Sequence, residues 1–374
     1  MPRILILTAG FGEGHNTAAR CTREALLELS PQAEVRVFDP IAAANPRLTA
    51  WTSSLYLAII NHLPTLWQMI YEFADQCEVQ RPSQGLLAAA ARRMAQEIQE
   101  FAPDAIVSTY PIYAGFWQDF YPVGTPTPCP FHTVVTDSIS INAIWTRGRS
   151  SLWCVTDPIT AGRLADLGIA PEDIRVTGFP VSPRFAHMPR RLSKPGVGEP
   201  MRVLFFPIDS VSHTQGLLSA LGKLPKSPEW SVTVILGKQK DRLRPMIEAA
   251  IAAGTLPAST EIIGWTNQIP ELLNRHHVVL GKSGGATVHE SRTAARPMLI
   301  HYMVPGQEEG NAALLEAEGG GHLLQSPEEL AQYWTEWTSQ HFAGWQAAHE
   351  SLLAHTADDP ARRVARVVLD SLPN

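Results

Sequence analysis

The chain has 374 residues, 45% of them apolar and 18% charged, and carries a formal charge of −6. This length suits two domains, and the apolar share is enough for full cores, which excludes a disordered chain. The acidic balance excludes nucleic acid as the main partner, because phosphate binding leaves a basic footprint.

The four cysteines (Cys21, Cys77, Cys129 and Cys154) are scattered and form no CxxC pair. They read as reduced core residues rather than disulfides, and no metal site is expected. Met1–Leu7 is apolar but too short for a signal peptide, and no apolar run reaches the roughly 18 residues of a spanning helix. These features predict a cytoplasmic protein.

In chain order, the β-rich run Arg3–Thr8 predicts a first strand, ended by Ala9-Gly10-Phe11-Gly12-Glu13-Gly14-His15. Ala18, Cys21, Ala25 and Leu29 recur at helical spacing and predict a helix over Thr17–Leu29. Glu34–Phe38 reads as a second strand that closes a right-handed βαβ unit. In the loop, Gly12 and Gly14 let the backbone approach a ligand, and the helix start favours negative charge. The pattern G-x-G-x-G-H departs from the dinucleotide fingerprint G-x-G-x-x-G, although Asp39 beyond the second strand keeps that reading open. His15, at the tip of the loop, is suited to take a proton from a hydroxyl.

The stretch Trp51–Phe73 is rich in aromatic and apolar residues, has almost no charge and is split by Pro64. It fits either two short helices packed on the domain or an amphipathic surface facing lipid, with Trp51, Tyr56, Trp67 and Tyr71 as contacts. Ala105–Ser108, Phe131–Thr136 and Leu152–Thr156 then read as short strands. Pro189, Pro195, Gly196, Gly198 and Pro200 among basic residues mark a linker. The expected division is a domain over 1–190, a linker over 191–200, a second domain over 201–355 and a C-terminal helix within 356–374 that packs across the domains.

A second series of strands is read at Arg202–Phe206, Ser231–Leu236, Glu261–Ile263, Val278–Leu280 and Met298–His301. Two successive α/β series predict two facing, doubly wound, Rossmann-like domains with the ligand site in the cleft between them. Three loops in the second half carry chemistry. Ser283, Gly284, Gly285, Ala286 and Thr287 precede a helix, and their small side chains and free amides suit a diphosphate. Glu290, in the first turns of that helix, either accepts from ribose hydroxyls or is a structural glutamate in a capped helix. Gln307, Glu308 and Asn311 offer mixed donors and acceptors to a sugar. Between the first strand of this half and its helix, Ser210, Ser212, His213 and Thr214 offer hydrogen bonds to a phosphate.

Together these residues resemble glycosyltransferase family 28, and within it the monogalactosyldiacylglycerol synthases and diacylglycerol glucosyltransferases. The likeness rests on the G-x-G-H-x-x-A-A pattern in Ile4–Ala19, on Pro103–Pro111, on Thr136-Asp137 followed by Trp145, and on Val176–Val181 with Phe185. It continues through Gly264-Trp265-Thr266, Ser283–Glu290 and Pro305–Asn311, over nearly the whole chain. The resemblance implies a GT-B fold and an inverting, metal-independent transfer from a UDP-sugar to a membrane lipid at the inner face of the membrane, with no cofactor beyond the donor. It implies His15 as general base with Asp137 in the catalytic set. The backbone around Trp265 and Thr266 would hold uracil, Glu290 the ribose, Ser283–Thr287 the diphosphate, and Gln307 and Glu308 the sugar. Two positions depart from the family: Asn142 stands where the galactolipid synthases carry a histidine, and Phe206–Gln215 lacks the usual glycine-rich phosphate loop. A UDP-sugar 2-epimerase and a non-catalytic UDP-sugar sensor are the alternative readings.

Overall fold

The computed structural model describes residues 1–10, 13–45, 83–225, 227–237, 240–306, 308–357 and 359–373. Gly12, Gln307 and the aromatic stretch with Trp51, Tyr56, Trp67 and Tyr71 lie outside the described residues. The chain forms two compact units. Unit 1 is Met1–Pro183 with Pro305–Gly310 and Asp359–Asn374, and unit 2 is Arg184–Val304 with Asn311–Asp358.

Unit 1 contains β1 (Arg3–Leu7), α1 (Glu13–Leu29), β2 (Glu34–Phe38), α2 (Pro40–Ala44), α3 (Ala88–Phe101), β3 (Ala105–Ser108), α4 (Ile112–Phe120), β4 (Phe131–Val134), β5 (Leu152–Val155), α5 (Pro158–Asp166) and β6 (Ile174–Val176). Its sheet is parallel in the order β2-β1-β3-β4-β5-β6. Successive side chains of a strand point to opposite faces, and here both faces are covered. Ile4 and Ile6 pack with Ala25 and Leu26 of α1 and with Val364, Ala365 and Val368. Leu5 and Leu7 pack on the other face with Met94, Phe101, Phe116 and Trp117. The last three residues of the first group belong to the C-terminal helix (Pro360–Asp370), whose Arg362 pairs with Glu28 of α1 at 2.9 Å.

Unit 2 contains β7 (Met201–Phe205), α6 (Val211–Gly222), β8 (Trp230–Ile235), α7 (Lys240–Ala252), β9 (Glu261–Ile263), α8 (Ile269–Arg275), β10 (Val278–Lys282), α9 (Gly285–Thr293), β11 (Met298–Tyr302), α10 (Glu309–Ala317), β12 (Gly321–Leu323) and α11 (Glu329–His355). The first two residues of α10 count with unit 1. The C-terminal helix of unit 1 is α12. The second sheet is also parallel, in the order β12-β11-β10-β7-β8-β9. Both sheets are thus doubly wound, as expected from the sequence. Each has one point where the connections leave in opposite directions, β1/β3 in unit 1 and β7/β10 in unit 2. Ligands of open α/β sheets bind beyond the carboxyl ends of the strands at such points.

Candidate active site

In unit 1 the loops after β1 and β3 lie side by side because those strands are neighbours. His15 is the third residue of α1 and is buried. Its Nδ1 lies 2.8 Å from the carbonyl oxygen of Thr109, and Thr136 Oγ1 lies 3.0 Å from the same nitrogen. A carbonyl can only accept, so Nδ1 carries the hydrogen and the neutral ring keeps its lone pair on Nε2. Thr109 Oγ1 donates back to the His15 carbonyl at 3.1 Å. Tyr110 meets the ring edge-on at 5.0 Å between centroids. Burial pulls the His15 pKa down to about 4, partly offset by the bond to Thr109. The ring is therefore neutral near pH 7 and able to accept a proton.

Two acidic residues near this loop do different work. Asp39 caps α2 by accepting from the Ala42 amide at 2.8 Å, and its other oxygen accepts from the Gly10 amide at 2.9 Å. Asp39 thus shapes the glycine loop, which accounts for it without a nucleotide ribose. Asp137, just past β4, accepts from Trp145 Nε1 at 2.6 Å. Burial pushes its carboxyl up to about 6, the Trp145 bond opposes the rise, and the charge of Glu308 adds to it. Asn142, the departure from the galactolipid synthases, is buried and caps the short turn Ala143–Trp145 by accepting from the Ile144 amide at 2.9 Å. Its role here is to seat Trp145, the residue that holds Asp137. At Gly14, in the first turn of α1, an added Cβ meets nothing within 4 Å among the described residues.

In unit 2 the loop from β10 into α9 brings several of the predicted donor residues together. Ser283 is fully buried; its amide donates to the Tyr302 carbonyl at 3.0 Å and its carbonyl accepts from Asn311 Nδ2 at 3.1 Å. Ser283 Oγ and Asn311 Oδ1 are both buried without a hydrogen-bond partner among the described residues. Gly284 is the N-cap of α9 and supplies no side-chain cap. The first-turn amides of Gly285, Ala286 and Thr287 are therefore not taken up by a capping side chain, as an anion site requires. Glu290 follows, partly exposed, one turn along the helix. Behind it, Arg292 is buried in a two-pronged pair with Glu318, at 2.7 and 2.5 Å, and also bonds His289 Nδ1 at 2.7 Å.

The segment from β7 into α6 is held by its own side chains and by His301 of β11. Thr214 is buried and donates to the Ile208 carbonyl at 3.1 Å. His213 Nε2 lies 3.0 Å from His301 Nδ1, and His301 Nε2 lies 3.0 Å from the Phe206 carbonyl. Ser210 and Ser212 sit at the surface with their hydroxyls 3.5 Å apart. Trp265 follows β9 and is 66% exposed, while Thr266 Oγ1 accepts from the Gln268 amide at 3.1 Å. Glu308 is buried in unit 1. Sequence reasoning missed Asp157, which lies beneath the Asp137 loop; its only sequence signal is an aspartate before Pro158 at a helix start.

Comparisons with known proteins find likenesses in sequence and in fold. The monogalactosyldiacylglycerol (MGDG) synthase family matches residues 15–181. A protein named processive diacylglycerol beta-glucosyltransferase from Bacillus subtilis (strain 168) is 25% identical over 333 residues, covering 88% of this chain and 85% of its own. Among solved structures, MurG of Acinetobacter baumannii superposes with a TM-score of 0.63 at 14% identity, over 99% of this chain and 100% of its own. The UDP-GlcNAc 2-epimerase of Neisseria meningitidis also superposes, with a TM-score of 0.56 at 13% identity, over 98% of this chain and 100% of its own. The fold is thus shared by transferases and epimerases, and the sequence relatives named above are transferases. This chain is a glycosyltransferase of GT-B fold, and its residues 15–181 resemble the monogalactosyldiacylglycerol (MGDG) synthase family.

Proposed function

We propose that this glycosyltransferase moves a hexose from a UDP-sugar onto a membrane lipid, diacylglycerol or a glycolipid, with inversion and without a metal. The observation that carries the reading is His15, whose Nδ1 is committed to Thr109 so that Nε2 is the basic nitrogen. In the reaction the acceptor hydroxyl gives its proton to His15 Nε2 as its oxygen attacks the sugar C1. The bond from C1 to the diphosphate breaks, and UDP leaves with the electron pair. Charge on the leaving diphosphate is met by the first-turn amides of α9 and by the helix dipole. Asp137, held by Trp145, completes the proposed catalytic set.

Glu290 would accept from the ribose, the backbone at Trp265 and Thr266 would hold uracil, and Gln307, Glu308 and Asn311 would contact the sugar. Ser210 and Ser212 are the members of the altered phosphate loop with side chains at the surface. The lipid acceptor is supported by the named activity of the Bacillus subtilis relative, and by the aromatic stretch 51–73 as a contact with the inner face of the membrane. Among the described residues no helix is long and apolar enough to cross a membrane. UDP release from UDP-glucose, UDP-galactose and UDP-N-acetylglucosamine, each with and without diacylglycerol liposomes, tests the reading. Lipid-dependent release with one donor supports it. Free sugar released from UDP-N-acetylglucosamine alone would indicate an epimerase, and UDP binding without turnover on any lipid would indicate a sensor.

A further inference from the structure

Beyond β4 and Val135, the four residues Thr136 to Ile139 are tied down one by one. Thr136 reaches His15 and Asp137 accepts from Trp145. The other two ties converge on a single group. Ser138 Oγ lies 2.9 Å from Thr156 Oγ1, and the Ile139 amide donates to Thr160 Oγ1 at 2.9 Å. Both threonine hydroxyls reach Asp157 Oδ2, each at 2.6 Å. Asp157 is 2% exposed, and its other oxygen caps α5 by accepting from the Thr160 amide at 2.9 Å.

A carboxylate only accepts, which sets the direction of every bond in this network. Both threonines donate to Asp157, so Thr156 receives from Ser138 and Thr160 receives from the Ile139 amide. The network also works against the backbone. Ile139 has φ +51°, and a β-branched residue in the left-handed region is a steric outlier that its surroundings must enforce.

We infer that Asp157 is a positioning residue for the transfer: through Thr156 and Thr160 it holds the Thr136–Ile139 loop, and with it Asp137 and the Thr136 contact to His15, in working geometry. This rests on the roles proposed above for His15 and Asp137. Asp157→Asn isolates the effect, because asparagine caps a helix about as well as aspartate but puts an amide opposite the two hydroxyls. Thr160→Val deletes a single hydroxyl and is the milder second variant. Ile139→Gly removes the backbone penalty that the network opposes.

The test combines hydrogen exchange of the 136–140 amides with steady-state kinetics on the full chain. Asp157→Asn and Thr160→Val are expected to speed exchange at Ile139 by about tenfold or more. In Asp157→Asn, kcat should fall about 10²-fold with donor KM within about twofold, as for a misplaced catalytic group. Adding Ile139→Gly to Asp157→Asn should restore most of kcat. Unchanged exchange in both variants overturns the anchor. Faster exchange with unchanged kcat overturns the positioning role, and a double variant as slow as Asp157→Asn overturns the idea that the network works against backbone strain. Absence of lipid-dependent turnover in the unaltered protein would instead overturn the functional reading, while the exchange data would still test the anchor.

Discussion

The Nδ1 of His15 donates to the Thr109 carbonyl at 2.8 Å, a bond made between the first turn of α1 and the loop that leaves β3. It fixes the tautomer, so the basic nitrogen is Nε2 before any substrate arrives. His15→Ala should lower kcat about 10²–10⁴-fold, the usual contribution of a positioned base. UDP affinity should stay within about twofold, because the proposed nucleotide contacts all lie in unit 2. Calorimetric titration with UDP beside the liposome assay checks both. A matching loss of UDP affinity would move His15 from catalysis to donor binding.

Asp137 supplies a pH signature. Its carboxyl is pushed up to about 6, so it holds a proton below that pH and is charged above it. If the charged form supports a protonated His15, kcat/KM rises with pH through about 6 and then levels off. The His15 limb, near 4, lies below this rise. Asp137→Asn should flatten the limb near 6 and lower the plateau. A profile from pH 4.5 to 9 that keeps its limb in the variant would assign that titration to another group.

Much of this arrangement was legible in the sequence. Glu34–Phe38, Ala105–Ser108 and Glu261–Ile263 are strands over the residues predicted, because short strands between glycine and proline breaks stand out as β-rich runs. The edge strands β6 and β12 were not read. They are three residues each, and β6 shows Arg175 and Val176 to solvent. Helix α1 begins at Glu13, four residues ahead of the predicted start, because Gly14 reads as loop although its open surroundings let it sit in a first turn. His15, Ser283 and Glu290 were singled out because the segments around them carry their chemistry locally. Asp157 was not, because its role depends on β4 pairing with β5, which brings Ser138 and Thr156 within 2.9 Å across 18 residues of sequence.

Glu290 is the proposed ribose ligand, and its removal should act on binding more than on chemistry. Glu290→Ala should weaken UDP by about 10–100-fold, the scale of hydrogen bonds to a charged acceptor. Glu290→Gln, which keeps an acceptor oxygen, should lose less. If the alanine variant binds UDP as tightly as the unaltered protein, the ribose lies elsewhere.

Buried histidines give the fold a defined response to acid. Burial lowers His15, His132, His276 and His301 to about 4 and His277 to about 3. An unfolded chain binds these protons near 6.5 and the native one only near 4 or below, so unfolding takes up protons between those values. Stability therefore rises with pH through that window and falls as pH drops from about 6.5 to about 4. Asp137 acts in the opposite sense, because the native state holds its proton from about 6 downward and the unfolded state only below 3.8. One carboxyl against five histidines leaves the net trend downward in acid. Urea midpoints followed by tryptophan fluorescence should fall steadily across this range, and a flat profile would mean that these rings are solvated in the native protein.

Gly178 lets the start of the C-terminal helix come close to the loop after the first sheet's β6. Its φ is +85°, and a Cβ built there would lie 2.7 Å from the Cβ of Pro360, the first residue of α12. Gly178→Ala therefore meets both a left-handed backbone and a clash, and should cost about 1–3 kcal/mol. The damage should be local at first, since Val364, Ala365 and Val368 of α12 seal one face of the sheet that carries β1. Faster exchange of the 360–372 amides with a lower urea midpoint is the expected result. Gly162, inside α5, is the control: an added Cβ there meets nothing within 4 Å, and Gly162→Ala should stabilise by about 0.5–1 kcal/mol. Equal effects at the two positions would show that the Pro360 contact does not hold α12 in place.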